Sequence, residues 1–380
     1  MDSYLLSQIT PAFIQAWRQG GFGSAADGVA LLAELGRYPA TRDIAFDTSI
    51  RGGFRFYTSG TTGQPHAFPV TRDSLLNTGL ATKLDELFNI VNHGFQRAVV
   101  ALPMASNPMG MKYCFALESL GLQTIAAGVR THNFTPMRVL NALREDAVDL
   151  LVARPLEAEM YARLARHRYG QALDDVMGLL VTGEVVSPAR LDALQTMYPN
   201  ARVRSVYGLT ELNSGLFSCS KGAYHFIPNG QTLVELRGND ICSRARVLFT
   251  VLRQDTTVVR YQTGDIGRLV PHCRCEQGGA ALLLRGRSVD EVAPDLFLAE
   301  LSDALRKEIG VHNVFARQRD RHVRILVKSS EAAPSTTVRT LMDQHPHLEI
   351  QVIPYANDDQ CLPLSKSCTV AVDHGSIDAL

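Results

Sequence analysis

The chain has 380 residues, 46% hydrophobic and 20% charged, which allows a sizeable core and about two domains. Lys plus Arg number 38 and Asp plus Glu 38, so nothing asks for a nucleic-acid partner or an anionic membrane surface. No apolar run approaches the ~18 residues of a membrane span, Asp2 stands where a basic leader would be, and the seven cysteines are an odd number for a disulfide framework, so the expectation is a soluble protein of a reducing cytoplasm.

From residue 54 to 207, short β-rich runs alternate with longer helical stretches. Strands are expected over 54–58, 97–102, 122–127, 150–153, 178–181 and 202–207, and helices over 71–90, 109–120, 136–144, 155–166 and 188–198. Pro136, Pro155 and Pro188 each stand where a helix starts, the position that needs no N–H donor. This alternation predicts an α/β fold whose large N-terminal domain carries mostly parallel sheets flanked by helices. Past Gly208 the runs 224–236 and 245–261 are Val- and Leu-rich with Gly and Asn turns, and predict a β subdomain. A third texture begins after Arg287: a helix over 297–308, a strand over 322–327, a helix over 336–345 and a strand over 349–354 make a small α+β C-terminal domain. The boundary falls near Gly286–Asp290, giving domains 1–287 and 288–380. The charge cluster from Arg317 to Arg321 reads as a solvated turn.

The most informative segment is FYTSGTTGQP, from Phe56 to Pro65. Gly60 and Gly63 let backbone N–H groups approach a phosphate closely, and Thr58, Ser59, Thr61 and Thr62 add hydroxyl donors. It is not a Walker loop, and alone it reads either as a phosphate cradle or as a polar strand-to-helix turn.

With three later segments it resembles the adenylate-forming superfamily of acyl-CoA ligases and adenylation domains. Thr58–Gly63 is similar to that family's ATP-phosphate loop, Tyr207-Gly-Leu-Thr-Glu211 to its second signature, Tyr261-Gln-Thr-Gly-Asp265 to its third, and Gly286-Arg-Ser-Val-Asp290 to its hinge. The resemblance implies Tyr207 and Gly208 at the adenine, Thr210 near the α-phosphate, Glu211 on Mg²⁺, Asp265 on the ribose hydroxyls and Arg287 reaching the nucleotide. It also implies a C-terminal domain that rotates about a hinge at Val289–Asp290. The activity so implied is ATP-dependent conversion of a carboxylic acid to an acyl-AMP with release of pyrophosphate. The chemistry is coherent, because acid and triphosphate are both anions and must be neutralised by amides, hydroxyls and a hard divalent ion before they react.

Only 57 residues precede Thr58, and this compact start looks like the phenylacetate-CoA ligase branch. The segment Val181-Thr-Gly-Glu184, with Glu184 at the approach to the adenine, and the apolar segment 103–121 are similar to that branch, as is the Cys273-Arg-Cys275 loop. Cys273 and Cys275, with Cys219 and His225 upstream, would make a closed tetrahedral zinc site of structural role, or else are loop cysteines without a metal. Cys114, Cys242, Cys361 and Cys368 read as buried or incidental thiols.

Three departures bear on function. The phosphate loop continues to Gln64-Pro-His66 rather than to a Lys or Arg. The stretch after the hinge, 292–298, has no glycine, which weakens the link to coenzyme A. The family's catalytic lysine has its counterpart in Lys366, without the usual Gly before it, and Lys328 is a poorer candidate. Met104, Met109 and Met111 suit an adaptable acid pocket or equally a packed helix start, and Lys112 is either solvated or a partner for a second polar group on the acid. The acid expected by resemblance is aromatic or arylacetic, or a short acyl acid. The acceptor is a thiol, coenzyme A or an acyl carrier protein, or alternatively an amine in an amide-forming ligase. A non-catalytic nucleotide-binding role is the third reading. A homodimer is one assembly to test.

Overall fold

The computed structural model describes residues 3–44, 52–57, 67–76, 78–104, 107–129, 134–209, 212, 214–226, 228, 230–253, 256–306, 311–319, 322–329, 336–354 and 370–372. The chain enters through three helices, α1 (Ser3–Leu6), α2 (Pro11–Gln19) and α3 (Gly28–Leu35). Thr10 caps α2 by accepting from Phe13 N at 3.1 Å, with Pro11 in the first turn. Trp17 Nε1 donates to Glu34 Oε2 at 2.8 Å and ties α2 to α3.

Strands β1 (Phe54–Tyr57) and β2 (Ala67–Val70) form an antiparallel pair on either side of residues 58–66. The sequence pattern does not reveal β2, because Pro69 lies inside it; in a two-stranded ribbon the missing N–H falls on an edge. The single helix expected over 71–90 is three: α4 (Arg72–Leu75), α5 (Thr78–Phe88) and α6 (Ile90–His93). Asn89 breaks the last two apart by adopting φ 54°, a left-handed conformation that asparagine tolerates.

The central layer runs β3 (Arg97–Ala101), α7 (Met109–Ser119), β4 (Gln123–Ala126), α8 (Pro136–Glu145), β5 (Leu150–Ala153), α9 (Pro155–Tyr169), β6 (Gly178–Thr182), α10 (Pro188–Met197), β7 (Arg202–Leu209) and β8 (Ser214–Phe217). These strands make a six-stranded sheet of order β4-β3-β5-β6-β7-β8, parallel except for the antiparallel β8. Period-2 alternation splits its apolar side chains between two cores. Val99, Leu151, Leu179 and Val203 pack with α8, α9 and α10, whereas Val100, Leu150, Val152 and Leu180 pack with α5 and α7. The expected prolines do open α8, α9 and α10, and Thr135 and Ser187 cap two of them by accepting from Arg138 N and Arg190 N.

A five-stranded antiparallel sheet comes next, of order β10-β11-β12-β13-β9, from β9 (Tyr224–His225), β10 (Thr232–Asp240), β11 (Arg244–Leu252), β12 (Thr257–Val270) and β13 (Ala281–Arg287). The two runs expected here are thus each divided. Residues 226–231 separate β9 from β10, and residues 253–256 separate β11 from β12. The helices α1 and α2 cover this sheet. Gln8 satisfies the outward main chain of edge strand β10 as another strand would: its Nε2 donates to Val234 O at 3.0 Å and its Oε1 accepts from Val234 N at 2.9 Å. Tyr4 Oη accepts from Leu236 N at 2.7 Å.

After a single 3-10 turn, Ser288–Asp290, come β14 (Glu291–Ala293), β15 (Leu296–Phe297), α11 (Leu298–Arg306), β16 (Val311–Arg319), β17 (His322–Ser329), α12 (Thr336–Gln344), β18 (Leu348–Pro354) and β19 (Val370–Val372). The last sheet has order β18-β17-β16-β19. Arg317 and Arg319 lie on β16 rather than in a turn, and the polar composition of that strand hid it from the sequence pattern. The β14–β15 hairpin is pinned to the preceding sheet. Arg244 pairs with Glu291 at 2.9 Å, Arg285 with Glu300 and Asp295 at 2.6 Å each, and both guanidiniums lie near the Phe297 ring, at 5.3 and 4.9 Å. Among the described residues, no helix is long and apolar enough to cross a membrane.

Gln8→Leu leaves the Val234 amide and carbonyl buried without partners. It is expected to lower unfolding free energy by about 1–3 kcal/mol in urea titration, and an unchanged transition would show that the edge needs no cap.

Candidate active site

A cleft opens at the carboxyl ends of β6 and β7, where ligands settle in open parallel sheets. One wall is Gly183, Glu184 and Val185, directly after β6. The second is Val206 to Leu209 at the end of β7. The third is built by Asp265, Leu284 and Arg287 of the antiparallel sheet and by Asp290 in the 3-10 turn after it. Of the residues assigned from sequence, the fold therefore brings Glu184, Tyr207, Gly208, Asp265 and Arg287 to one place, although they are widely separated along the chain.

Tyr207 Oη donates to Asp265 Oδ2 at 2.5 Å. Arg287 Nε lies 3.6 Å from Asp265 Oδ1, in the register position directly across from it on β13. The Asp265 carboxylate is thus gripped from two sheets at once. Its direction comes from an irregularity in β12, where Arg246 pairs with Ile266 but Leu248 pairs with Gln262, so that extra residues bulge out. Gly264 takes φ 80° inside the bulge, and Thr263 Oγ1 accepts from Asp265 N at 3.0 Å. Just before it, Arg260 also has a left-handed φ of 55°; its side chain binds Glu235 at 3.1 Å and Tyr38 O at 2.5 Å. The ring of Tyr207 is fixed by edge contacts with Tyr224 and Phe249, at centroid distances of 5.9 and 5.8 Å.

Glu184 differs from the sequence expectation in one respect. It lines the cleft, but its side chain is 0% exposed and Oε2 accepts from Arg190 Nη1 at 2.9 Å. Its solvent-facing part is main chain. Arg190, Ser187 and Leu284 escaped the sequence reading, since a single Arg or Ser in a helix start looks like an ordinary solvated residue. Met109 does come beside the cleft, its Cε 3.5 Å from where a Cβ on Gly208 would sit. Met104 packs against the core of α5 and α7, and Met111 against Phe56 and Phe68, so these two serve packing. Lys112 is buried rather than solvated. Thr58, Ser59, Gly60, Thr61, Thr62, Gly63, Thr210, Glu211 and Lys366 lie outside the described residues.

The second constellation is beneath the cleft. Cys219, His225, Cys273 and Cys275 present ligand atoms that all lie within 4.8 Å of one another. Cys275 Sγ is 3.1 Å from His225 Nε2, and Cys219 Sγ is 3.8 Å from Cys273 Sγ. Two similar turns present the thiols. Lys221 N donates to Cys219 Sγ and Gln277 N to Cys275 Sγ, each at 3.3 Å, with Gly222 and Gly278 in left-handed conformation behind them. Burial pushes the Cys273 thiol up to about 12, with the neighbouring sulfurs adding to it. Burial also opposes ionisation of Cys275, but hydrogen bonds from the Gln277 and Gly278 amides and from the Cys273 and Cys219 thiols together bring that thiol below its ordinary value. Burial lowers the pKa of His225, favouring the neutral, ligating imidazole. Glu276 joins the turns by accepting from Ser220 Oγ at 2.5 Å and from Arg204 Nη2 at 3.0 Å.

Residues 54–240 match the family model described as AMP-binding enzyme. No curated protein matches the chain in sequence. Among solved structures, 2-hydroxyisobutyryl-CoA ligase in its postadenylation state with 2-HIB-AMP aligns at TM-score 0.66 and 15% identity, over 98% of this chain and 87% of that one. O-succinylbenzoate coenzyme A synthetase from Bacillus subtilis in complex with AMP aligns at 0.56 and 14%, over 80% and 66%. The McyG A-PCP structure with phenylalanyl-adenylate aligns at 0.54 and 16%, over 81% and 63%. With the shared fold and with Tyr207, Gly208, Asp265 and Arg287 meeting at one cleft, residues 54–240 belong to the AMP-binding enzyme family, the adenylate-forming superfamily that the sequence resembles.

Proposed function

We propose that this chain condenses a carboxylic acid with ATP to an acyl-AMP, releasing pyrophosphate, and then passes the acyl group to a thiol of coenzyme A or a carrier protein. The observation that carries this reading is the meeting of Tyr207, Asp265 and Arg287 at the end of the parallel sheet. Asp265, oriented by Tyr207 and Arg287, would accept the ribose hydroxyls, and the Tyr207 ring would flank the base. The Thr58–Gly63 amides and hydroxyls would hold the phosphates, and Thr210 would meet the α-phosphate. Glu211 is the residue assigned to Mg²⁺, whose charge would offset that of the triphosphate. Lys366 would bridge the acid and the α-phosphate. The acid oxygen attacks the α-phosphorus and pyrophosphate leaves, so positioning and charge neutralisation are most of what the protein must supply. Related solved structures hold 2-HIB-AMP and phenylalanyl-adenylate, which supports an acyl-AMP here.

The acid we assign is aromatic or arylacetic, or else a short acyl acid, in the manner of the phenylacetate-CoA ligase branch and in a cytoplasmic setting. The small C-terminal portion from residue 288 would turn about Val289–Asp290 between half-reactions. An amine acceptor is the second reading. It is favoured by the hairpin after that hinge, where Asp295 rather than glycine holds the left-handed position at φ 59°. Mass analysis of products from a panel of thiols and amines separates the two.

Acid-dependent return of labelled pyrophosphate into ATP is the direct test, and its absence with every acid tried would leave only a binding role. Asp265→Asn keeps the shape but removes the charge that Tyr207 and Arg287 hold. Exchange is expected to fall roughly 10- to 100-fold, and an undiminished rate would remove Asp265 from the nucleotide site.

We also propose a structural zinc ion on Cys219, His225, Cys273 and Cys275. Three thiols and one neutral imidazole suit tetrahedral zinc, and the set is full, leaving no position for a substrate. The purified chain is expected to carry about one zinc per chain by elemental analysis, and Cys275→Ser to lose it together with thermal stability. Zinc far below that level in the unaltered protein would refute the assignment.

A further inference from the structure

Glu184 and Arg190 belong to a chain of buried charges behind the first wall of the cleft. Arg154, next to the end of β5, makes a two-pronged pair with Glu157 and also attracts Glu184. Arg190 Nη1 donates to Glu184 Oε2 at 2.9 Å, and its Nε donates to Glu159 Oε1 at 2.8 Å. Arg163 completes the row, 3.6 Å from Glu159 Oε2. The side chains of Glu157, Glu159 and Glu184 are 0% exposed and that of Arg190 is 2% exposed. The row is neutral overall, yet desolvating such groups costs so much that apolar residues of the same volume would hold a core as well. Stability is therefore a poor reason for it.

Direction is a better one. Gly183 takes φ 91°, and a side chain there would be strained. Glu184 is partly exposed only through its main chain, so the inward pull on its carboxylate turns that main chain toward the cleft. Ser187, three residues on, caps α10 and donates to Asp303 Oδ1 of α11 at 2.6 Å, fixing the same turn from the other side. Resting on the adenylate-forming reading, we propose that Arg190 is a positioning residue for the nucleotide: by clamping Glu184 to Glu159 it sets the Gly183–Val185 main chain as the rigid wall against which the base packs.

The test combines calorimetric titration of AMP with the pyrophosphate-exchange assay, on the full chain carrying Arg190→Met, Arg190→Lys or Glu184→Gln. In Arg190→Met the AMP Kd and the KM for ATP are expected to rise on the order of tenfold to a hundredfold, with kcat at saturating ATP within about twofold. Lysine reaches one of the two carboxylates but not both, so Arg190→Lys should recover part of the loss. If Arg190→Met does not fold, Glu184→Gln, which keeps the volume and weakens only the clamp, carries the same expectation. A lowered melting temperature with unchanged Kd and KM would overturn the proposal, because it describes a structural pair only. Failure of the unaltered chain to bind AMP would overturn the parent reading as well. Normal binding by the unaltered chain, by Arg190→Met and by Glu184→Gln would overturn this proposal alone.

Discussion

Asp265 is where two differently built sheets meet. It stands on the antiparallel sheet, its carboxylate takes a hydrogen bond from a tyrosine of the parallel sheet, and an arginine of the neighbouring strand faces its other oxygen. A charge this buried is tolerated only when protein groups replace the water it has lost, and Tyr207 and Arg287 are two that do so. The cleft depends on that arrangement, since it has walls only while the ends of β6 and β7 stay against β12 and β13. The bulge in β12 and the left-handed backbone at Gly264 and Arg260 are local deviations from regular strand geometry that make this meeting geometrically attainable.

The cysteine–histidine cluster acts on the same join from below. Cys219 lies just past β8, the antiparallel neighbour of β7, while His225 is on β9 and Cys273 and Cys275 precede β13. Whatever draws these four residues together also draws together the strands that carry Tyr207 and Arg287. Tyr224, adjacent to His225, bonds Ser205 at 3.0 Å and touches the Tyr207 ring, so the two constellations share a wall.

The extent to which the sequence discloses this depends on the length scale of each interaction. Strands buried on both faces, such as Leu150–Ala153, are continuous apolar runs and can be read directly. Helix starts marked by a Thr or Ser and a proline are equally plain, as at Thr135-Pro136. The signature residues are legible as motifs, and so is the set of four candidate ligands, although its closeness in space is not. The hidden features depend on partners far along the chain. Arg190 is an unremarked helix residue until Glu159 and Glu184 are seen on either side of it. The carboxylate of Glu184 points away from the cleft for the same reason. β16 is concealed by its Arg, Gln and His content, and the break at Asn89 by a backbone angle that no apolar periodicity encodes.

The cover that Gln8 and Tyr4 place on β10 has an outcome beyond the monomer. An uncovered strand of this length offers a row of amides and carbonyls to any other extended chain, its own twin included. At the far side of the sheet stands only the two-residue β9, and the exposed end of β10 carries Arg237 and Asp240. Recruitment of neighbours into a growing ribbon is therefore opposed at one margin by the borrowed Gln8 amide and Tyr4 hydroxyl and at the other by brevity, the devices by which a Val- and Leu-rich sheet avoids offering an open edge.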